Sequence, residues 1–115
     1  MPTEKGFGAP APRAIALDLE GSGHQPLLRG RPETAGMRSG LVVLSPGASV
    51  GKHSTGAHEE QLVVLAGRGE FRCAGADPLA IRAESVVYCP PDREHDVVNT
   101  GSLPLRYVYV VAEAK

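Results

Sequence analysis

Gly47-Ala48-Ser49-Val50-Gly51-Lys52-His53-Ser54-Thr55-Gly56-Ala57-His58-Glu59-Glu60-Gln61-Leu62-Val63-Val64-Leu65-Ala66-Gly67 is the stretch on which the reading of this chain turns. Its first half is glycine-punctuated loop chemistry carrying two histidines and two carboxylates. Its second half, from Gln61, is a short β-branched and apolar run closed by Gly67-Arg68-Gly69. Loop-borne ligating groups running straight into a strand are the pattern of a site built on a rigid β scaffold.

The same theme repeats outward in both directions. Leu41-Val42-Val43-Leu44 precedes Ser45-Pro46-Gly47, and Glu70-Phe71-Arg72-Cys73 alternates polar and apolar as a half-buried strand does. Residues 79–82, 85–89, 95–98 and 105–111 continue the series, separated by turn residues such as Pro90-Pro91 and Asn99-Thr100-Gly101. Residues 15–19 read as a further short strand near the start. No stretch carries apolar residues at helical spacing over ten or more positions. Many short strands with Gly and Pro turns predict an all-β sandwich or barrel. Residues 41–44, 62–65 and 107–111 are apolar on both faces. A small barrel has one interior, so the second face predicts a homodimer.

Composition bounds the function. The chain has 115 residues, with Lys plus Arg 12, Asp plus Glu 13 and a net charge of −1. That balance gives no electrostatic footprint for nucleic acid or anionic lipid, and no helix-turn-helix pattern is present. The hydrophobic share of 42% supplies one core. No apolar run approaches the ~20 residues of a spanning helix. Residues 15–19 are interrupted by Asp18, so no secretory segment is predicted and a cytoplasmic location is expected. Residues 1–13, rich in Pro, Gly and Ala, read as an N-terminal arm, and 14–115 as a single barrel domain. Cys73 and Cys89 make no disulfide framework and read as small buried apolar residues.

The chemistry concentrates in two turns, around His53 to Glu60 and around Pro90 to His95. Neutral imidazole is the commonest metal ligand. His53, Glu60 and His95 would supply two histidines and one carboxylate, the facial set of non-haem iron sites, once the fold joins the two segments.

These segments resemble the two motifs of the cupin superfamily. Gly47, five residues, His53-x-Thr55, four residues, Glu60, six residues and Gly67 fall on the first motif, with Thr55 where the family has a second histidine. Pro90, His95 and Asn99 fall on the second, with Glu84 and Asp92 at its two glycine positions. The resemblance implies a double-stranded β-helix, or jelly-roll, barrel. It also implies one divalent transition metal (Fe, Mn, Ni or Zn) held by His53, Glu60 and His95. His58 is the expected substitute for the histidine missing at Thr55, because it lies two residues before Glu60 and an extended strand turns both to one face. Glu59 is the alternative carboxylate; Glu60 is preferred because it alone keeps six residues before Gly67.

Other residues read more plainly. His24 belongs to a glycine-rich turn and is expected to be exposed. Tyr107 and Tyr109 read as core or dimer-face aromatics, and Arg38 and Arg106 as outward, solvated charges; an inward arginine would suit a carboxylate substrate. Asn99 reads as a turn residue holding backbone. The functional expectation is a metal-dependent enzyme of dioxygenase, isomerase or decarboxylase type acting on a small organic molecule in the barrel. The alternative is a non-catalytic small-molecule-binding or sensing protein, which the Thr55 substitution favours.

Overall fold

The computed structural model describes residues 10–114. Eight strands follow one another: β1 (Gly23–Arg29), β2 (Arg38–Leu44), β3 (His58–Ala66), β4 (Arg68–Cys73), β5 (Leu79–Arg82), β6 (Ser85–Cys89), β7 (His95–Val98) and β8 (Leu105–Glu113). Among the described residues there is no helix, and so none long and apolar enough to cross a membrane. The strands form a five-stranded sheet ordered β1-β2-β8-β3-β6 and a three-stranded sheet ordered β5-β4-β7. Every pairing is antiparallel. This is the jelly-roll barrel expected from the motifs.

Alternation along the strands fills the space between the sheets. Val42 and Leu44 of β2, Leu62 and Val64 of β3, Phe71 of β4 and Leu105 and Tyr107 of β8 all point inward into one core. Each such fully buried side chain contributes roughly 1.5–3 kcal/mol over its exposed state. The turns do what the sequence requires of them. Glu84 (φ 66°) and Asp92 (φ 61°) hold the left-handed conformation that glycine would adopt at those positions. A Cβ on Gly67 would collide with the carbonyl of Pro104, so this position admits no side chain.

The chain's beginning differs from the sequence reading at residues 15–19 and in which strand comes first. The arm expected over residues 1–13 lies outside the described residues up to residue 9; residues 10–13 are exposed coil. Residues 15–19 form no strand. They cross the outside of the large sheet, where side chains satisfy their backbone: Gln25 accepts from the Asp18 N–H at 2.8 Å and donates to the Ala16 carbonyl at 3.1 Å, and Arg106 donates to the Leu19 carbonyl at 2.6 Å. Asp18, Gly21 and Ser22 border a recess floored by Leu41 and Val43. The second apolar face of β2 is therefore met by the chain's own segment, which removes that strand from the argument for a dimer. The first strand is instead β1, which begins in the glycine-rich turn assigned to His24 and covers residues for which no strand is expected. It is an edge strand, which is where a residue such as Pro26 is tolerated.

Candidate metal centre

Two backbone contacts assemble the site. The loop after β2 runs alongside β7: Val50 donates to the Val97 carbonyl at 3.1 Å, and His53 and His95 exchange N–H···O bonds of 2.9 and 2.8 Å. This sets the two imidazoles together, with ring centroids 4.3 Å apart. On the facing sheet, β3 pairs with β6 so that Glu60 stands opposite Cys89, its side chain turned inward and 6% exposed. One ligand atom from each of His53, Glu60 and His95 lies within 4.8 Å of the others.

The donor chemistry of this group fits a metal ion. His53 Nδ1 lies 2.9 Å from the Gly51 carbonyl, and His95 Nδ1 lies 2.9 Å from the Arg93 carbonyl. A carbonyl only accepts, so both Nδ1 atoms carry the proton. Each ring thereby turns Nε2 to the site, with an outer hydrogen bond fixing its orientation, as metal-binding histidines require. His95 Nε2 is 2.8 Å from Glu60 Oε1. With Nδ1 already donating, that short contact needs a proton between imidazole and carboxylate. The Glu60 hydrogen bond accordingly holds the His95 imidazole above its ordinary pKa, against the desolvation that opposes it. A divalent cation would take the place of this proton. Phe71 stacks beneath the His95 ring at 5.5 Å and closes it from below. Cys89 Sγ is 3.5 Å from His95 Nδ1, and burial pushes its thiol pKa up to about 12, so it is an inert neighbour.

The remaining expected ligands go elsewhere. His58 lies outside this group. Its N–H and its Nδ1 are each 3.2 Å from the Thr55 carbonyl, and the Thr55 hydroxyl donates to the His58 carbonyl at 3.0 Å. This closed turn draws the ring back onto its own loop, overriding the simple strand alternation with Glu60. Glu59 faces away and accepts from the Tyr88 hydroxyl at 2.8 Å. Asn99 is buried and ties the Leu44 and Leu103 carbonyls and the Gly101 N–H together, the backbone role expected of it.

The group lies at one side of a cavity of about 450 Å³. Val42, Leu44, Val97 and Val111 supply apolar wall. Five polar residues outside the ligand group also line it: His24, Arg38, Thr55, Tyr107 and Tyr109. His24 and Arg38 are exposed and Tyr107 is a core residue, as expected; what the sequence reading lacks is that these side chains and Tyr109 border the cavity. Strand parity carried the signal for Arg38, since it shares an alternation with Val42 and Leu44. His24 lacked one, because β1 itself was not legible. Burial holds the hydroxyls of Tyr107 and Tyr109 above the usual phenol range, with Arg38 countering that effect at Tyr109.

Comparison with known proteins follows this architecture. The solved structure of a Cupin 2 conserved barrel domain protein from Salinispora arenicola CNS-205 is similar at 27% identity, over 90% of this chain and 91% of that one, with a TM-score of 0.72. A Bacillus halodurans protein superposes at a TM-score of 0.75 and 18% identity, over 93% of this chain and 86% of that one. A predicted oxalate decarboxylase from Thermotoga maritima superposes at 0.63 and 20% identity, over 86% and 99%. The last two likenesses bear on the fold alone. A comparison with curated proteins finds no match. The sequence itself matches the Cupin domain family over residues 40–111, and the chain belongs to that family.

Proposed function

We propose that this cupin is a metal-dependent enzyme acting on a small organic molecule in its barrel, with one divalent transition metal (Fe, Mn, Ni or Zn) held by His53, Glu60 and His95. The observation that carries the reading is the convergence of those three ligand atoms within 4.8 Å at the wall of the cavity. Two histidines and one carboxylate leave coordination positions open for substrate. When bound, the metal supplies a Lewis acid for a carbonyl or enolate oxygen, or a site for dioxygen. The chain's own contribution is orientation and water exclusion: Gly51 and Arg93 carbonyls aim the rings, and the valine and leucine walls lower the local dielectric. His58 does not enter the ligand set. The T. maritima relative carries a decarboxylase name, which is consistent with chemistry on small acids in this fold. A cytoplasmic homodimer is the accompanying proposal; Val86 and Tyr88, 61% and 57% exposed on β6, are apolar surface that a second subunit would cover.

The test is metal content by mass spectrometry on untagged protein purified without nickel columns or chelators. About one equivalent per chain, lost in His95→Ala, is expected, followed by metal-dependent turnover in an oxygen-uptake or decarboxylation screen. No metal, and no uptake of added Fe(II), Mn(II), Ni(II) or Zn(II), would overturn it. Metal without turnover would favour the second reading, a non-catalytic binding protein. Its support is that Thr55 supplies no fourth ligand, its hydroxyl being engaged with His58.

A further inference from the structure

Arg38 sits on β2 at the edge of the cavity, and its stem lies against Gly30, where a Cβ would be 3.2 Å from the arginine Cγ. Among the described residues its guanidinium has no carboxylate within salt-bridge distance and no hydrogen-bond partner. Beside it, Tyr109 Oη is 2.6 Å from His24 Nε2. Gly40 makes that pair possible. A Cβ there would lie 2.6 Å from both His24 Nε2 and the Tyr109 oxygen, so the bare backbone of β2 is the seat on which they meet. Register places this group relative to the metal centre. Arg38 pairs with Val111, and Val111 pairs with Glu60, so the arginine and the proposed ligand occupy one cross-strand row, two strand spacings or roughly 10 Å apart.

The charges in the cavity are unequal. Glu60 is matched by His95 through their short contact, which among the described residues leaves Arg38 as the unmatched charge on the lining. A metal ion at Glu60 would increase the positive excess. An anion entering apolar surroundings is costly unless a charge receives it, and a guanidinium fork receives a carboxylate by two parallel hydrogen bonds.

We propose that Arg38, with the Tyr109–His24 pair beside it, is the recognition wall for a small organic carboxylate, whose carboxylate it holds while the other end of the molecule faces His53, Glu60 and His95. The orientation of the ligand rests on the metal-centre reading; its anionic character rests on Arg38 alone. In the His24 tautomer that donates through Nε2, the Tyr109 O–H is free to give the carboxylate a third hydrogen bond. The apolar walls between the two ends suit a short carbon skeleton.

The experiment is calorimetric titration of the full chain with acetate, pyruvate and malonate, each paired with its uncharged amide, first as purified and again after chelation. At least one acid is expected to bind, its amide more weakly by about tenfold or more, and Arg38→Met to remove that preference. Tyr109→Phe is expected to weaken the acid by a few fold, about one neutral hydrogen bond's worth. Arg38 is exposed at the cavity edge, so the variant folds; unchanged metal content and thermal midpoint check this. Equal binding of acid and amide, an Arg38→Met protein that still prefers the acid, or no binding of any of the three acids overturns the proposal. Failure of the metal reading shows on the other axis, as chelation leaving every titration unchanged.

Discussion

His53 and His95 form a two-residue antiparallel bridge, each donating its N–H to the other's carbonyl, at 2.9 and 2.8 Å. This bridge is the physical content of the spacing between the two motifs. The loop after β2 cannot slide against β7 by one residue without turning the His53 ring to the opposite face, away from that of His95. The ring separation of 4.3 Å is therefore set by backbone pairing. A site held this way is pre-organised, which favours binding without a large ordering cost.

His53→Ala is expected to lower metal content strongly while leaving the barrel folded. His53 is exposed, and the hydrogen bonds of its bridge are made by backbone, which alanine retains. Removing one of three ligands typically removes most of the affinity. Metal analysis and a circular dichroism melt on the same preparation check both halves. Full metal content in this variant would exclude the proposed ligand set.

The metal-free protein should lose stability as pH rises. The His95 pKa is raised in the folded state, chiefly by its hydrogen bond to Glu60. A raised folded pKa means the pair's stabilisation is fully present below the unfolded value of about 6.5 and disappears as pH passes the folded value. Denaturant unfolding of chelated protein between about pH 5 and 9, the region where a histidine titrates, should show the midpoint falling across that window. In Glu60→Gln the fall should shrink, because the charge that favours His95 protonation is gone. A midpoint that rises with pH through this window would contradict the assignment of the shared proton.

Gly40→Ala probes the seat of the His24–Tyr109 pair. The new methyl would stand 2.6 Å from both polar atoms, closer than van der Waals contact allows, so one ring must move. A destabilisation of about 1–3 kcal/mol is expected, as for overpacked cores. The two rings should also separate, which a loss of the nuclear Overhauser contact between His24 and Tyr109 would report. Wild-type stability with the contact intact would show that the pair does not sit as described.

Much of this molecule was legible from residue order, and the exceptions have physical causes. The strands β2 to β8 announce themselves by alternation and by turn residues at their ends, and His53, Glu60 and His95 by motif counts that reflect fixed backbone pairing. The edge strand β1 was not legible, because Gly23 and Pro26 are turn residues elsewhere and an edge strand tolerates them. Arg38 is exposed as expected, but that it also borders the cavity was not legible, because a long charged side chain suits a surface as well as a cavity rim. His24 and Tyr109 meet only because β1, β2 and β8 lie side by side, a non-local fact that no local pattern carries. His58 follows strand parity on paper, but it is the first residue of β3 and its ring turns back to the Thr55 carbonyl of the preceding loop.

Asn99→Ala tests the clamp behind the site. Asn99 is 1% exposed, and its side chain serves the Leu44 and Leu103 carbonyls and the Gly101 N–H. Alanine leaves buried backbone groups without partners, at about 1–3 kcal/mol for such a loss. Urea unfolding should show it. Metal content should be retained, since no ligand is touched, and a variant of wild-type stability would mean water replaces the amide.

Thr55→His separates the two functional readings. Thr55 lines the cavity, but its hydroxyl is committed to the His58 carbonyl at 3.0 Å. The substitution gives up that hydrogen bond, worth about 0.5–1.5 kcal/mol net, and brings an imidazole to the position where the family has one. If the centre is a three-ligand site with a vacant corner, competition against a chelator should show metal held about tenfold tighter or more, because a fourth nitrogen ligand outweighs one neutral hydrogen bond. A site that needs its open corner for substrate should then lose turnover while gaining metal. Unchanged affinity would mean that the loop turns the new ring away, as the Thr55–His58 turn now does with His58, and the three-ligand set would stand as complete.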